Sequence, residues 1–323
     1  MIQLSRAEIE QLVTVDDEAV AAVRDAYIAI VDGRGNVPPV GHIAFPATNG
    51  DCHIKYGHIA GDPIFAVKIA AGFYDNPAKG LPSSTGIILA ISAETGEVRA
   101  ILNDEGYLTD LRTGIGGAVA TLALARADAR SVLVIGTGIQ ARYQSRALAA
   151  LAGRPLSFRM WGRSLEKTEA IAAELKRDRL DVSVASDLEA ACREAHIIIT
   201  TTPSTEPLVK SEWVQPGAHI TAMGADGPGK QELETALVAR ANIRVADMKT
   251  QSLGHGEFSH ACAAGLIGSG DCIELGSVLA GTLQGRRSNE DITIADLTGV
   301  ATQDIAMART VLERATAKQD GRS

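Results

Sequence analysis

The sequence predicts an α/β protein in which a Rossmann-type parallel-sheet domain is joined to an α+β domain. Three observations carry this expectation. From residue 131 onward, short apolar runs alternate with amphipathic stretches at the spacing of βαβ units. Before residue 113, apolar runs follow one another across turn signals, as antiparallel strands do. Between the two regimes lies a glycine turn, Gly136-Thr-Gly138-Ile-Gln-Ala141, set directly after a buried run and before a helical pattern.

The elements follow in order. Ser5 and Glu8 have the spacing of a capping box and start a helix over 7–12. A second helical pattern covers Asp17–Val31 and ends at Gly33 and Gly35. His53-Ile-Lys-Tyr and Phe65-Ala-Val-Lys-Ile read as extended bursts between Gly and Pro. Residues 87–91 and 98–102 are two apolar runs joined by Ala93-Glu-Thr-Gly96, a hairpin signal. A small-residue helix is expected over 114–125, then strands and helices in turn. The strands fall at Ser131–Ile135, Ser157–Trp161, 182–185, 197–201, His219–Ala222 and Ile243–Ala246. Helices are expected at 140–151 and 165–175, and a terminal helix at 304–317 before a frayed tail over 318–323.

Composition excludes several classes. Of 323 residues, 46% are apolar and 22% charged, which is globular and enough for one or two cores. Thirty-one basic against 39 acidic residues give a net charge of −8, with no basic run, so a nucleic-acid surface is not expected. No apolar stretch reaches membrane-spanning length and the N-terminus lacks a secretory pattern. Cys52, Cys192, Cys262 and Cys272 are scattered without a CxxC pair. These features point to a cytoplasmic protein with no metal framework.

The glycine turn carries the most specific chemistry. Gly136 permits the tight turn, Gly138 lets a pyrophosphate approach the backbone, and Ala141 allows helix and strand to pack closely. The phosphate charge then meets the N–H groups and positive dipole end of the helix. A dinucleotide is therefore the expected cofactor. At the end of the next strand, where an acid holds the ribose of NAD, the chain reads Gly162-Arg163-Ser164. Arg163 and Ser164 suit a 2′-phosphate, which favours NADP(H) over NAD(H); the alternative is a solvated arginine at a helix start.

Four stretches, spread in order over the whole chain, resemble the ornithine cyclodeaminase/μ-crystallin family. They are Leu108-Thr-Asp-Leu-Arg112-Thr-Gly, the Gly136 turn, Met223-Gly-Ala-Asp226-Gly-Pro-Gly-Lys-Gln-Glu-Leu and Asp296-Leu-Thr-Gly. The resemblance implies a substrate-binding and dimerisation domain from both chain ends (1–113 and 300–323), around a Rossmann domain (114–299). It implies a homodimer acting on a small imino or amino acid with NAD(P). Phe73-Tyr-Asp-Asn-Pro and Gly80-Leu-Pro-Ser-Ser-Thr-Gly are similar to a branch that includes bacterial iminosuccinate reductase. By resemblance, Lys68 meets the substrate carboxylate, Arg112 lies beside substrate and cofactor with Thr113, and Asp226 is the acid/base. Ser83, Ile139, Gln140, Thr201, Met223 and Thr298 are cofactor contacts on the same ground. Where many members place an arginine after Pro-Pro, this chain has Pro38-Pro39-Val-Gly-His42, leaving His42 as the available donor.

The residue chemistry stands beside the resemblance. Protonating an imine nitrogen promotes hydride addition to its carbon, and fixed cations orient a substrate carboxylate. Lys68 falls in the apolar run 65–71, where an idle charge is costly. Asp226 precedes Gly227-Pro-Gly and equally fits a turn residue. Lys55 shares a strand face with His53 and either welcomes a second carboxylate or points to solvent from an edge strand. His255, Glu257 and His260 form HxExxH, but Gly254 and Gly256 break the helix that a metal motif needs. Three functions remain: an imino-acid reductase running reversibly as an amino-acid dehydrogenase, an ornithine cyclodeaminase, and a ligand-holding protein that keeps the dinucleotide site. The first is favoured, with iminosuccinate or a cyclic ketimine as candidate substrate.

Overall fold

The computed structural model describes residues 1–321, and the last two residues of the expected tail lie outside the described residues. The chain divides into two compact units, Met1–Arg112 with the segment from Val300 onward, and Thr113–Gly299. Among the described residues, no helix is long and apolar enough to cross a membrane.

The first unit opens with β1 (Ile2–Ser5), α1 (Arg6–Leu12) and α2 (Asp17–Val31). Glu8 accepts from the Ser5 N–H and hydroxyl at 2.8 and 2.6 Å, which fixes the entry to α1. Six strands follow: β2 (Gly35–Asn36), β3 (Gly41–Phe45), β4 (Gly50–Ile59), β5 (Ile64–Phe73), β6 (Ser84–Ser92) and β7 (Val98–Asn103). They form one sheet in the order β1-β7-β6-β5-β4-β2, with β3 also paired to β4. Only β1 runs parallel to its neighbour. Burial alternates along β5, where Ile64, Ala66 and Lys68 face inward. The C-terminal helix (Ala301–Gln319) covers that face across β4, β5 and β6 and packs on α2 through Ala22, Ala26 and Ala306. The opposite face is open and apolar. Ile54, Ile69 and Ile87 are register partners across three strands, and Ile43, Phe45 and Tyr56 on the same side are exposed.

Helix α3 (Tyr107–Leu124) carries the boundary between the units, and the second unit continues through β8 (Ser131–Ile135), α4 (Ile139–Leu151), β9 (Ser157–Trp161), α5 (Leu165–Arg177) and β10 (Asp181–Val184). Next come α6 (Leu188–Glu194), β11 (Ile197–Thr200), β12 (His219–Ala222), α7 (Thr235–Arg240), β13 (Ile243–Ala246), α8 (Lys249–His255) and α9 (Glu257–Ala263). β14 (Cys272–Glu274), α10 (Leu275–Leu279) and β15 (Thr293–Asp296) complete it. All eight strands are parallel, in the order β10-β9-β8-β11-β12-β15-β13-β14. Strands β11, β12 and β15 are buried at every residue, as expected of a sheet covered on both faces. From β8 the chain winds outward through β9 to β10, then crosses to β11 on the other side. That reversal opens a crevice outside the carboxyl ends of β8 and β11.

Three expectations need correction. Helix α3 begins at Tyr107, not near 114, because Asp104 accepts from the Leu108 N–H at 2.9 Å and starts the helix early. The C-terminal helix begins at Ala301, so Asp304 lies inside it rather than at its start, and it continues through Gln319 into the stretch expected to fray. Strands β1, β2, β3, β14 and β15 were not expected: β2 and β14 are only two and three residues long, and β1, β3 and β15 adjoin polar or Gly/Pro-rich stretches.

Candidate active site

The crevice is built by the turn after β8. Gly136 has φ of 130°, and a Cβ there would run into Thr201 Oγ1. Among the described residues nothing lies within 4 Å of where a Cβ on Gly138 would project, so the backbone before α4 is open to a ligand. Ala141 is fully buried beneath the first turn of that helix. Thr201 donates its N–H and hydroxyl to the Ile135 carbonyl at 2.9 and 3.1 Å, fixing the opposite wall. The crevice holds about 260 Å³ and is lined by Gly136, Thr137, Gly138, Gly162, Arg163, Ser164, Lys167, Thr201 and Thr202, among others. Such a cradle fits the pyrophosphate of a nicotinamide dinucleotide.

The end of β9 decides which dinucleotide the crevice suits. Among the described lining residues none carries a carboxylate, while Arg163 and Lys167 bring two cations. A Cβ at Gly162 would meet Thr137 Cγ2 at 2.5 Å, so a side chain there would have to displace Thr137. Ser164 caps α5, accepting from the Lys167 N–H at 3.3 Å. Lys167 escaped the sequence reading because nothing marks a first-turn lysine as different from a solvated one.

Other expected contacts lie outside the crevice lining. Ile139 is exposed on the first turn of α4, and Gln140 accepts from Gln144 at 3.4 Å. The Thr113 carbonyl accepts from Gln144 Nε2 at 2.8 Å. Met223 follows β12 and donates its N–H to Thr200 at 2.9 Å; Thr298 follows β15 and donates to Asp247 at 3.0 Å. Ser83 stands exposed just before β6, its carbonyl accepting from Phe73 at 2.8 Å. Asp226 lies on the loop after β12, is 47% exposed and accepts from Lys230 Nζ at 2.6 Å.

In the first unit the structure gathers the cations around a residue that the sequence reading missed. Lys68 Nζ donates to Asp304 Oδ1 at 2.9 Å, and Arg112 Nε donates to the same oxygen at 3.1 Å. Arg112 also donates to Gln303 Oε1 at 3.1 Å. All four residues are buried, and Asp304 Oδ2, Gln303 Nε2 and Thr302 Oγ1 make no hydrogen bond among the described residues. Burial pushes the Lys68 ammonium down to about 7; Arg112 and Lys55 add to this and the Asp304 charge opposes it. Burial works against the Asp304 carboxylate, but Lys68, Arg112 and Lys55 outweigh it and hold the carboxyl below its usual range. The polar run Thr302-Gln303-Asp304 inside an alanine-rich helix was the available signal.

Lys55 is the register partner of Lys68, on the covered face of an interior strand and only half-buried. His42 pairs with His53 on the same face, with ring centroids 4.9 Å apart, and Asp51 lies 3.6 Å from His53 Nε2. Their ligand atoms fall within 4.8 Å of one another, yet they share the face with Lys55 and Lys68, which makes it a cation-rich wall. HxExxH is split by Gly256 between α8 and α9. Its Glu257 is buried and accepts from the backbone of Glu232 and Leu233 at 2.6 and 3.0 Å, while His260 meets the Lys230 carbonyl at 2.8 Å.

The comparisons agree with this architecture. Residues 1–319 match the model of the ornithine cyclodeaminase/mu-crystallin family. An archaeal alanine dehydrogenase dimer with bound NAD superposes with a TM-score of 0.91 at 35% identity, over 99% of this chain and 97% of that one. The iminosuccinate reductase of Paracoccus denitrificans in complex with NAD+ gives 0.87 at 34% identity, over 100% and 98%. The Δ1-pyrroline-2-carboxylate reductase of Thermococcus litoralis, in complex with NADH and L-proline, gives 0.92 at 28% identity, over 99% and 98%. The chain belongs to the ornithine cyclodeaminase/mu-crystallin family.

Proposed function

We propose that this NAD(P)-dependent oxidoreductase reduces a small α-imino acid to the L-amino acid, and oxidises the amino acid in reverse. The observation that carries the proposal is the buried hub in which Asp304 holds Lys68 and Arg112 together. A lysine has three donors and an arginine five, so both keep N–H groups for a substrate carboxylate while Asp304 fixes their positions. The dinucleotide, when bound along Gly136 and Thr201, supplies the hydride. Asp226 gives the proton to the imine nitrogen and its exposure lets it be reloaded from solvent, while the Lys230 ammonium favours the carboxylate that takes the proton back in the reverse reaction.

Iminosuccinate is the leading substrate. Lys68 and Arg112 serve the α-carboxylate, and Lys55 and His42, on the same sheet face, bring positive charge that suits a second one. At about 4 Å and an effective dielectric near 20, such a contact is worth about 4 kcal/mol before desolvation, and it would repel an ammonium tail by as much. This disfavours ornithine. Arg163, Ser164 and Lys167 further support NADPH binding at least as well as NADH. The open apolar face around Ile43, Tyr56 and Ile69 supports a homodimer, since an apolar patch of this kind calls for a partner.

The test is Lys55→Ala assayed on two imines. Its Michaelis constant should rise much more for a dicarboxylic imine than for a monocarboxylic one. Equal effects on both would remove Lys55 from substrate recognition.

A further inference from the structure

Glu232 is fully buried, six positions beyond Asp226 in the sequence, and four donors converge on it. Oε2 accepts from the Thr200 hydroxyl at 2.6 Å and the Gly224 N–H at 2.9 Å. Oε1 accepts from the N–H and hydroxyl of Thr202 at 2.6 and 2.7 Å. These donors come from two segments. Thr200 and Thr202 flank Thr201 at the end of β11, on the wall of the crevice. Gly224 begins the loop that carries Asp226.

The glutamate is itself held in place. Its N–H donates to Glu257 at 2.6 Å, and its carbonyl accepts from Leu208 and Val209 at 2.7 and 3.0 Å. A Cβ at Gly224 would run into the Thr202 carbonyl and the Glu232 carboxylate, so the loop passes against the carboxylate with no room to spare. Burial pushes this carboxyl up to about 7, and the four donors pull the other way. An ionised carboxylate accepts at every position, whereas an amide would turn two donors toward the backbone N–H groups of Thr202 or Gly224. A carboxylate buried at such cost, and filled so completely, does more than close a turn.

We propose that Glu232 is a positioning residue for the reaction: its carboxylate ties the Thr201–Thr202 wall of the dinucleotide crevice to the Asp226 loop. Hydride source and proton donor are thereby held in one geometry, where displacements of an ångström already cost rate. The inference rests on Asp226 being the proton donor. It also gives the split HxExxH stretch a place, since Glu257 and His260 hold the backbone of the same loop at Glu232 and Lys230.

The test compares Glu232→Gln, Thr200→Val and Thr200→Ser in the full chain, with NAD(P)H and the imine as probes. Glu232→Gln should bind NAD(P)H and imine much as wild type does, with kcat lower by about ten- to a hundredfold. Amides of the 224–231 segment should exchange hydrogen faster in that variant. Thr200→Val, which keeps the shape and loses the donor, should also lower kcat. Thr200→Ser, which keeps the donor, should recover most of it. Unchanged kcat and exchange in folded Glu232→Gln overturn the proposal, as does Thr200→Ser being as slow as Thr200→Val. If Glu232→Gln does not fold, the Thr200 pair decides alone. Asp226→Asn, run alongside, separates the two layers. Full kcat in Asp226→Asn overturns both, while a slow Asp226→Asn beside a fast Glu232→Gln overturns only the positioning role.

Discussion

Lys68 and Asp304, 236 residues apart in sequence, meet at 2.9 Å on the covered face of the first sheet, each only 2% exposed. Asp304 also carries Arg112, so its loss leaves two buried cations facing each other. Removing one member of a buried ionic group costs about 3–5 kcal/mol, because the remaining charge has no partner. Asp304→Ala should therefore lower stability by about that amount in urea unfolding. Lys68→Met leaves Asp304 paired with Arg112, so it should cost far less stability while nearly abolishing turnover. Equal destabilisation by both, or an active Lys68→Met, contradicts the hub.

The depressed Lys68 ammonium gives substrate binding a pH dependence. Below about 7 the lysine is charged, and above it the proton is lost. A bound carboxylate favours the charged form, so dicarboxylate binding takes up a proton above that value. Competitive inhibition by succinate should weaken as pH rises above about 7, by up to tenfold per unit. Lys68→Arg stays charged and should flatten the profile. Stability moves the other way. Between about 7 and the ordinary value of 10.5 the unfolded chain holds more protons than the folded one, so this group favours folding increasingly as pH rises through that window.

Cofactor choice turns on the end of β9. Arg163→Ala and Lys167→Ala should each raise the Michaelis constant for NADPH and leave that for NADH nearly unchanged. A charge-assisted contact of this kind is worth about 1.5–3 kcal/mol, or about ten- to 150-fold. A strong NADH preference that neither variant alters would rule out a phosphate subsite.

Asp226→Asn keeps the shape of the side chain and loses its titration. NAD(P)H affinity, read by fluorescence, should hold, while kcat falls by about a hundredfold or more. A pH–rate profile identical to that of wild type speaks against proton transfer by this residue.

Much of this was legible in the sequence because it is local. Gly136, Gly138 and Ala141 sit in a fixed frame of strand, turn and helix, and the structure builds the crevice on that frame. The apolar run around Lys68 likewise marked it as a costly charge, and the structure buries it on the covered face of β5. What stayed hidden depends on contacts remote in sequence. Asp304 stood at the expected start of the terminal helix, and the start of that helix at Ala301 places it inside, where it meets Lys68. Glu232 looked like one polar residue in a loop, since the donors that fill its carboxylate arrive from residues 200, 202 and 224. Arg112 was recognised, but its place inside α3 depends on a cap at Asp104 that propensity did not reveal.

The most direct measurement is NAD(P)H oxidation by the purified protein against a panel of imines. It would include iminosuccinate formed from oxaloacetate and ammonia, cyclic five- and six-membered imino acids, and pyruvate with ammonia. The highest kcat/KM should fall on iminosuccinate, with aspartate oxidised in the reverse direction. Ammonia release from ornithine without added reductant, or a cyclic ketimine reduced more efficiently than iminosuccinate, would contradict the account.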